Sequence, residues 1–337
     1  MNKRERLAAA YNGQPVDRPP VALWRHFPGD DQDADDLAAA HIHFQRLHDW
    51  DFLKVTPAST FMVDDYGVQT AWRGNEEGTR DYVSFPVAQA EELTALALLD
   101  VMTGSYALAR QALQQICSAV DPDATVLQTI FSPLSQLKKL AGRRLLPLLR
   151  LHPQAVQVAL ATLTANSLRH IESLTTIGVG GIFYAVQHAS AHQMSRAEYA
   201  VFGRPFDLQI LQALPAGWFN VLHLHGADVY FDDVADYPVQ AINWHDRETW
   251  PDLTTALTRF PGAVIGGIRQ WDTLLRGAPA QIRAEALDAC VQTGGQRFIL
   301  GTGCVAPVTA PAANLRALRQ AVETMPSHRP AAHRMQD

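Results

Sequence analysis

Thr125-Val126-Leu127-Gln128-Thr129-Ile130-Phe131, followed at once by Ser132-Pro133-Leu134, is the stretch on which the fold turns. Its β-branched and apolar run reads as a buried strand, and the segment 134–149 that follows carries helical periodicity. The same strand-then-helix unit recurs on both sides of it. Strands are predicted over 21–24, 51–55, 125–131, 180–186, 219–223, 239–244, 263–268 and 297–301. Helices are predicted over 35–48, 106–119, 134–149, 155–177, 196–214, 250–259 and 279–293. Eight strands alternating with helices predict a (β/α)8 TIM barrel, an α/β fold in one domain spanning residues 1–325. An open dinucleotide-binding sheet is disfavoured, since no G-x-G-x-x-G follows the first strand. The polar, turn-rich segment 56–88 predicts a β-rich excursion, a candidate lid over the barrel mouth. Residues 326–337 read as a disordered tail.

Composition narrows the function. The chain has 337 residues, 47% hydrophobic content and a net charge of −6, with no Lys/Arg-rich run, so a nucleic-acid partner is not expected and a small-molecule ligand is. No apolar run of roughly 18 residues occurs and the N-terminus lacks an apolar leader, which predicts a cytoplasmic protein with no membrane partner. Three widely spaced cysteines, Cys117, Cys290 and Cys304, do not form a disulfide framework. Cys117 and Cys290 sit within apolar helical segments and read as core.

The pattern richest in chemistry is Leu222-His223-Leu224-His225-Gly226, where the fifth predicted strand meets its loop. Residues two apart on an extended chain share a face, so His223 and His225 can converge. Gly301-Thr302-Gly303-Cys304 follows the eighth predicted strand and brings a thiol to the same rim. Two imidazoles and one thiolate suit zinc and leave a fourth position open, as catalytic zinc sites do. Asp64 and Gln187 complete the candidate catalytic set. Arg25, His26, His188, His245 and Arg269, each just past a predicted strand, are candidate substrate contacts. Asp64 and Asp65 are adjacent and face opposite ways on an extended chain, so they do not form an acid/base pair.

Several segments together resemble the uroporphyrinogen decarboxylase superfamily. They are Gly13-Gln14-Pro15-Val16-Asp17-Arg18-Pro19-Pro20-Val21, the passage 126–142 with Phe131-Ser132-Pro133-Leu134, and the closing stretch 298–314. The resemblance implies a barrel enzyme, often a homodimer, with one of two chemistries. Metal-free decarboxylases hold tetrapyrrole carboxylates with an Arg-rich segment after the first strand and an Asp after the next. Here Trp24-Arg25-His26-Phe27-Pro28-Gly29-Asp30 keeps one Arg, and Lys54-Val55-Thr56-Pro57 offers no matching Asp. The other branch comprises zinc-dependent methyltransferases that move a methyl group between a corrinoid protein and a thiol such as coenzyme M. They carry His-x-Cys-Gly after the fifth strand and a Gly-Cys near the end. This chain matches His223, Gly226 and Cys304, has His225 in place of the first cysteine, and has a turn one residue shorter at Val305-Ala306-Pro307.

The expectation is a zinc methyltransferase with ligands His223, His225 and Cys304, its corrinoid supplied by a partner protein because no D-x-H-x-x-G motif occurs here. The alternatives are a metal-free carboxy-lyase using Arg25, His26 and Arg269 on a polycarboxylate, and a barrel that binds ligand without turnover. An amidohydrolase is disfavoured, since the His pair falls on the fifth strand and no Asp ends the eighth.

Overall fold

The Thr125–Phe131 segment forms a strand buried along its whole length, and six parallel neighbours flank it in one sheet. The structure, a computed structural model, describes residues 1–325; the expected tail lies outside them. The strands among the described residues are Phe52–Val55 (β1), Gln69–Ala71 (β2), Asp81–Ser84 (β3), Thr125–Phe131 (β4), Gly181–Val186 (β5), Val221–Leu224 (β6), Ala241–Asn243 (β7), Ala263–Ile268 (β8) and Phe298–Thr302 (β9). The main sheet runs β1-β4-β5-β6-β7-β8-β9, parallel throughout, with helices in the crossovers. The strands read as continuous apolar runs because both faces are covered, as parallel sheets require.

The sheet curls around an inner layer built by strand alternation. Phe52, Leu127, Phe183, Val221, Ala241, Ile265 and Ile299, one from each strand, form a buried cluster that Ala22 and Trp24 join. The expected first strand over 21–24 is therefore in place but is not a strand. Val21 makes a single parallel bridge to Leu300 of β9. Ala22 N donates to Leu300 O at 3.0 Å, Leu300 N to Pro20 O at 2.8 Å, and Asp51 N to Val21 O at 2.9 Å. Two causes prevent a full ladder. Pro19 and Pro20 have no amide to donate, and the Val21 amide is taken by the Asp51 carboxylate at 2.8 Å. The sheet thus has seven strands, with 20–24 as a thinly bonded stave between its outer edges.

Other differences have equally local causes. The single helix expected over 134–149 is two, Pro133–Ala141 and Leu145–Leu151. It breaks at Gly142, whose φ of 57° and contact with the Phe85 ring, 2.9 Å from where a Cβ would sit, leave room only for glycine. The excursion over 56–88 contains the antiparallel pair β2–β3, with Phe85 just beyond it. No helix among the described residues is long and apolar enough to cross a membrane.

Asp51, fully buried before β1, ties the N-terminal segments to the sheet. It accepts from Arg6 Nη1 at 2.7 Å and Arg18 Nη1 at 2.8 Å, besides the Val21 amide. Asp51→Ala leaves two buried guanidinium groups short of a counter-charge, a loss expected to cost about 3–5 kcal/mol. Urea unfolding checks this, and a loss below about 1 kcal/mol would remove the network from the account.

Candidate metal centre

The C-terminal ends of β6 to β9 carry the site. Alternation puts His223 on the inner face of β6, in register with Asn243 on β7. Asn243 Nδ2 donates to two backbone carbonyls, Ile265 O at 2.9 Å on β8 and Thr302 O at 2.9 Å on β9. This fixes the amide, so that Oδ1 faces His223 Nδ1 at 2.7 Å. An amide oxygen only accepts, so Nδ1 carries the proton and the lone pair of His223 lies on Nε2.

That lone pair points at sulfur. His223 Nε2 is 3.7 Å and His225 Nδ1 is 3.6 Å from Cys304 Sγ. The three ligand atoms all lie within 4.8 Å of one another. Tetrahedral zinc, with bonds of roughly 2.0–2.3 Å, separates nitrogen from sulfur ligands by about 3.5 Å, so the donor set and its spacing fit zinc. The turn that delivers Cys304 needs Gly303, where a Cβ would come within 2.7 Å of His245 Cα and 3.0 Å of the Trp244 carbonyl. Thr302 Oγ1 then locks the turn by donating to Cys304 O at 2.5 Å.

Burial alone would raise the Cys304 thiol. The imidazoles of His223, His225 and His245 outweigh it and hold the thiol well below its ordinary range. Burial lowers His223, whereas His225 is raised because Cys304 overcomes the same burial penalty. His245 stands beside the three, its ring centroid 5.4 Å from that of His225 and its Nδ1 3.4 Å from Glu248 Oε2. Burial opposes its charge, but Cys304 and Glu248 raise it to about 10. Its Nε2 is buried without a hydrogen-bond partner.

The cluster opens into a cavity of about 520 Å³, a size suited to a small molecule. Of the residues singled out in the sequence, His223, His225, Cys304, His26, Gln187 and His188 line it. Burial, reinforced by Lys54, pushes His26 down to about 3, and burial with Lys138 does the same to His188, so both rings are neutral walls. His245 stands against the cluster, and Asp64, Arg25 and Arg269 lie elsewhere. Asp64 borders a separate surface cavity with Gln32 and Thr60. The Arg25 guanidinium lies 5.2 Å from the Phe27 ring centroid, and Arg269 is bound by Glu285. Sequence reasoning missed Lys54, Lys139, Glu77 and Asn243. Lys54 and Asn243 had a readable signal: each is a polar residue two positions from an inward apolar one, Phe52 and Ala241.

Comparison with known proteins places the fold. The family described as uroporphyrinogen decarboxylase (URO-D) matches residues 2–325, and the chain belongs to that family. Among solved structures, a methyltransferase from Methanosarcina mazei is similar with a TM-score of 0.84 at 19% identity, covering 96% of this chain and 98% of that one. A B12-independent methionine synthase from Shewanella sp. W3-18-1, in complex with selenomethionine, is similar with a TM-score of 0.60 at 12% identity, covering 90% and 92%. At these identities the likeness is one of fold. No curated protein matches the sequence.

The thiol chemistry is measurable in chelator-treated protein. A depressed pKa means that the Cys304 thiolate persists as pH falls, whereas burial raises Cys117 to about 11 and also raises Cys290. Iodoacetamide labelling of Cys304 should slow far less per unit of acidification below about pH 8 than that of the other two, which should fall about tenfold per unit. A tenfold slowing per unit at Cys304 would contradict the electrostatic reading of the site.

Proposed function

We propose that this protein is a zinc-dependent methyltransferase, moving a methyl group between a corrinoid-carrying partner protein and a small thiol or related acceptor. The observation that carries the reading is the convergence of His223 Nε2, His225 Nδ1 and Cys304 Sγ within 4.8 Å at the wall of a small-molecule cavity. The fold likeness to a methyltransferase supports methyl transfer over other zinc chemistry. On this reading the seven strands and the stave 20–24 make a (β/α)8-type barrel, with the site at the C-terminal strand ends where such barrels carry catalysis.

Zinc at this centre, when bound, supplies the Lewis acidity that keeps an acceptor thiol deprotonated and nucleophilic at neutral pH. The chain's own residues do the rest. Asn243 holds His223 in the ligating tautomer, Cys304 contributes its charge, and His225 completes the protein donor set. Gln187 and the neutral His26 and His188 line the cavity in which the acceptor would sit, together with Tyr82 and Phe85 from the excursion.

Protein purified without a His-tag or added metal should contain about one zinc per chain, and Cys304→Ala or His223→Ala should lose it. Transfer from methylcobalamin to a thiol should stop on chelation and return with zinc. Activity that survives complete zinc removal would replace this reading with the metal-free lyase. Asn243→Ala is expected to weaken zinc affinity about 10–100-fold while the protein stays folded, as loss of a group that orients a ligand does. Unchanged affinity would remove Asn243 from the positioning role.

A further inference from the structure

The helix Pro279–Thr293, the crossover between β8 and β9, carries small and apolar side chains on two opposite sides. Ile282, Ala286, Ala289 and Thr293, spaced four, three and four, are buried on the side packed against β8, β9 and the neighbouring helices. Half a turn around, Ala280, Ala284, Leu287 and Val291 repeat that spacing and are all exposed, Leu287 at 50% and Val291 at 73%. A helix on the outside of a domain ordinarily carries charged and polar side chains there. Here the charges stand on the flanks of the stripe, Arg283 on one side and Asp288 on the other.

Four, three and four is the spacing of the seam along which two helices pack side by side, and the residues just before and just after that seam carry the charges that choose the partner. Arg283 precedes Ala284 and Asp288 follows Leu287, so the two occupy those flanking positions. When two copies of such a helix run in parallel, the first flank of one meets the second flank of the other, and Arg283 of each copy faces Asp288 of its partner. Antiparallel pairing instead sets each flank against its own copy, arginine near arginine and aspartate near aspartate. Both groups are available. Arg283 has no carboxylate partner among the described residues. Asp288, its side chain 53% exposed, accepts from Arg247 Nη1 at 2.6 Å and Gln292 Nε2 at 2.8 Å, both at Oδ2, which leaves Oδ1 to a partner.

We propose that the outward stripe Ala280, Ala284, Leu287 and Val291 is an interface between two copies of this chain, packed in parallel about a two-fold axis along the helix, with Arg283 of each copy on Asp288 of the other. A surface that complements itself in shape and charge is what such an axis requires. The helix returns from β8 to β9 along the outside of the sheet, so the axis leaves the strands of both copies pointing the same way and both cavities open on the same side. The interface uses no residue of the metal cluster or the cavity lining and is independent of the function proposed above. The seam is roughly 16 Å long, a small contact by the standard of stable dimers, so the association is a weak one.

Sedimentation equilibrium of the full chain tests it. A reversible monomer–dimer equilibrium is expected, with a Kd of about 10–100 μM. Arg283→Asp and Asp288→Arg, each alone, turn both cross-pairs into like charges and should weaken the dimer about tenfold. An equal mixture of the two variants restores opposite charges at both contacts and should associate as tightly as the wild type. Arg247 also donates to the Gly267 and Glu285 carbonyls, so it stays held in Asp288→Arg. Leu287→Lys places a charge in the seam at an exposed position; it should abolish the dimer and leave the melting temperature of the monomer unchanged. A wild type that stays monomeric throughout the range overturns the proposal and assigns the stripe to a different protein. A dimer that survives Leu287→Lys, or a mixture that associates no better than either variant alone, overturns it as well.

Discussion

The side-chain amide of Asn243 is the constraint on which the site depends. Its nitrogen is held by carbonyls of β8 and β9, and its oxygen holds His223 on β6, so one residue of β7 couples four adjacent strands. Because both amide protons are committed, the amide cannot flip, and because its oxygen cannot donate, His223 cannot change tautomer without losing the bond. The direction of the Nε2 lone pair is therefore decided by backbone carbonyls of the sheet itself. A metal ligand oriented this way needs no reorganisation when metal arrives.

The two ends of the curled sheet treat charge in opposite ways. Before β1 Asp51 is matched by Arg6, Arg18 and a backbone amide, a buried network whose groups satisfy one another. Toward the other end, in the cavity wall, Lys54 and Lys139 are buried without such matching, the Nε2 of His245 has no partner, and Cys304 is surrounded by imidazoles. Stability favours the first arrangement. The second is tolerated where groups wait for something the chain does not contain, and for that reason unmatched polar groups mark functional sites.

Much of this was legible in the sequence, and the failures have physical causes. The seven strands of the main sheet were placed because parallel strands buried on both faces leave continuous apolar runs. The clustering of His223 with His225 was readable because strand alternation is local, and the glycine turn before Cys304 brought the thiol beside them. The stave 20–24 defeated the reading because its amide bonds to a side chain, Asp51, distant in sequence. Asp64 sits in a short 3₁₀ turn, Asp64–Tyr66, rather than on an extended approach to the cavity, and Arg269 is claimed by Glu285, 16 residues on. No local pattern announces such partners. Lys139 was hidden for the opposite reason, lying on a helix that looked wholly structural until Gly142 broke it beside the cavity.

Cobalt(II) substitution followed by electronic absorption reads the proposed metal centre itself, since ligand-field intensity reports coordination number and a sulfur-to-metal charge-transfer band reports a thiolate ligand. One bound cobalt is expected, with intense tetrahedral bands and a charge-transfer band that disappears in Cys304→Ser. Weak octahedral absorption, or a spectrum unchanged by that substitution, would contradict it.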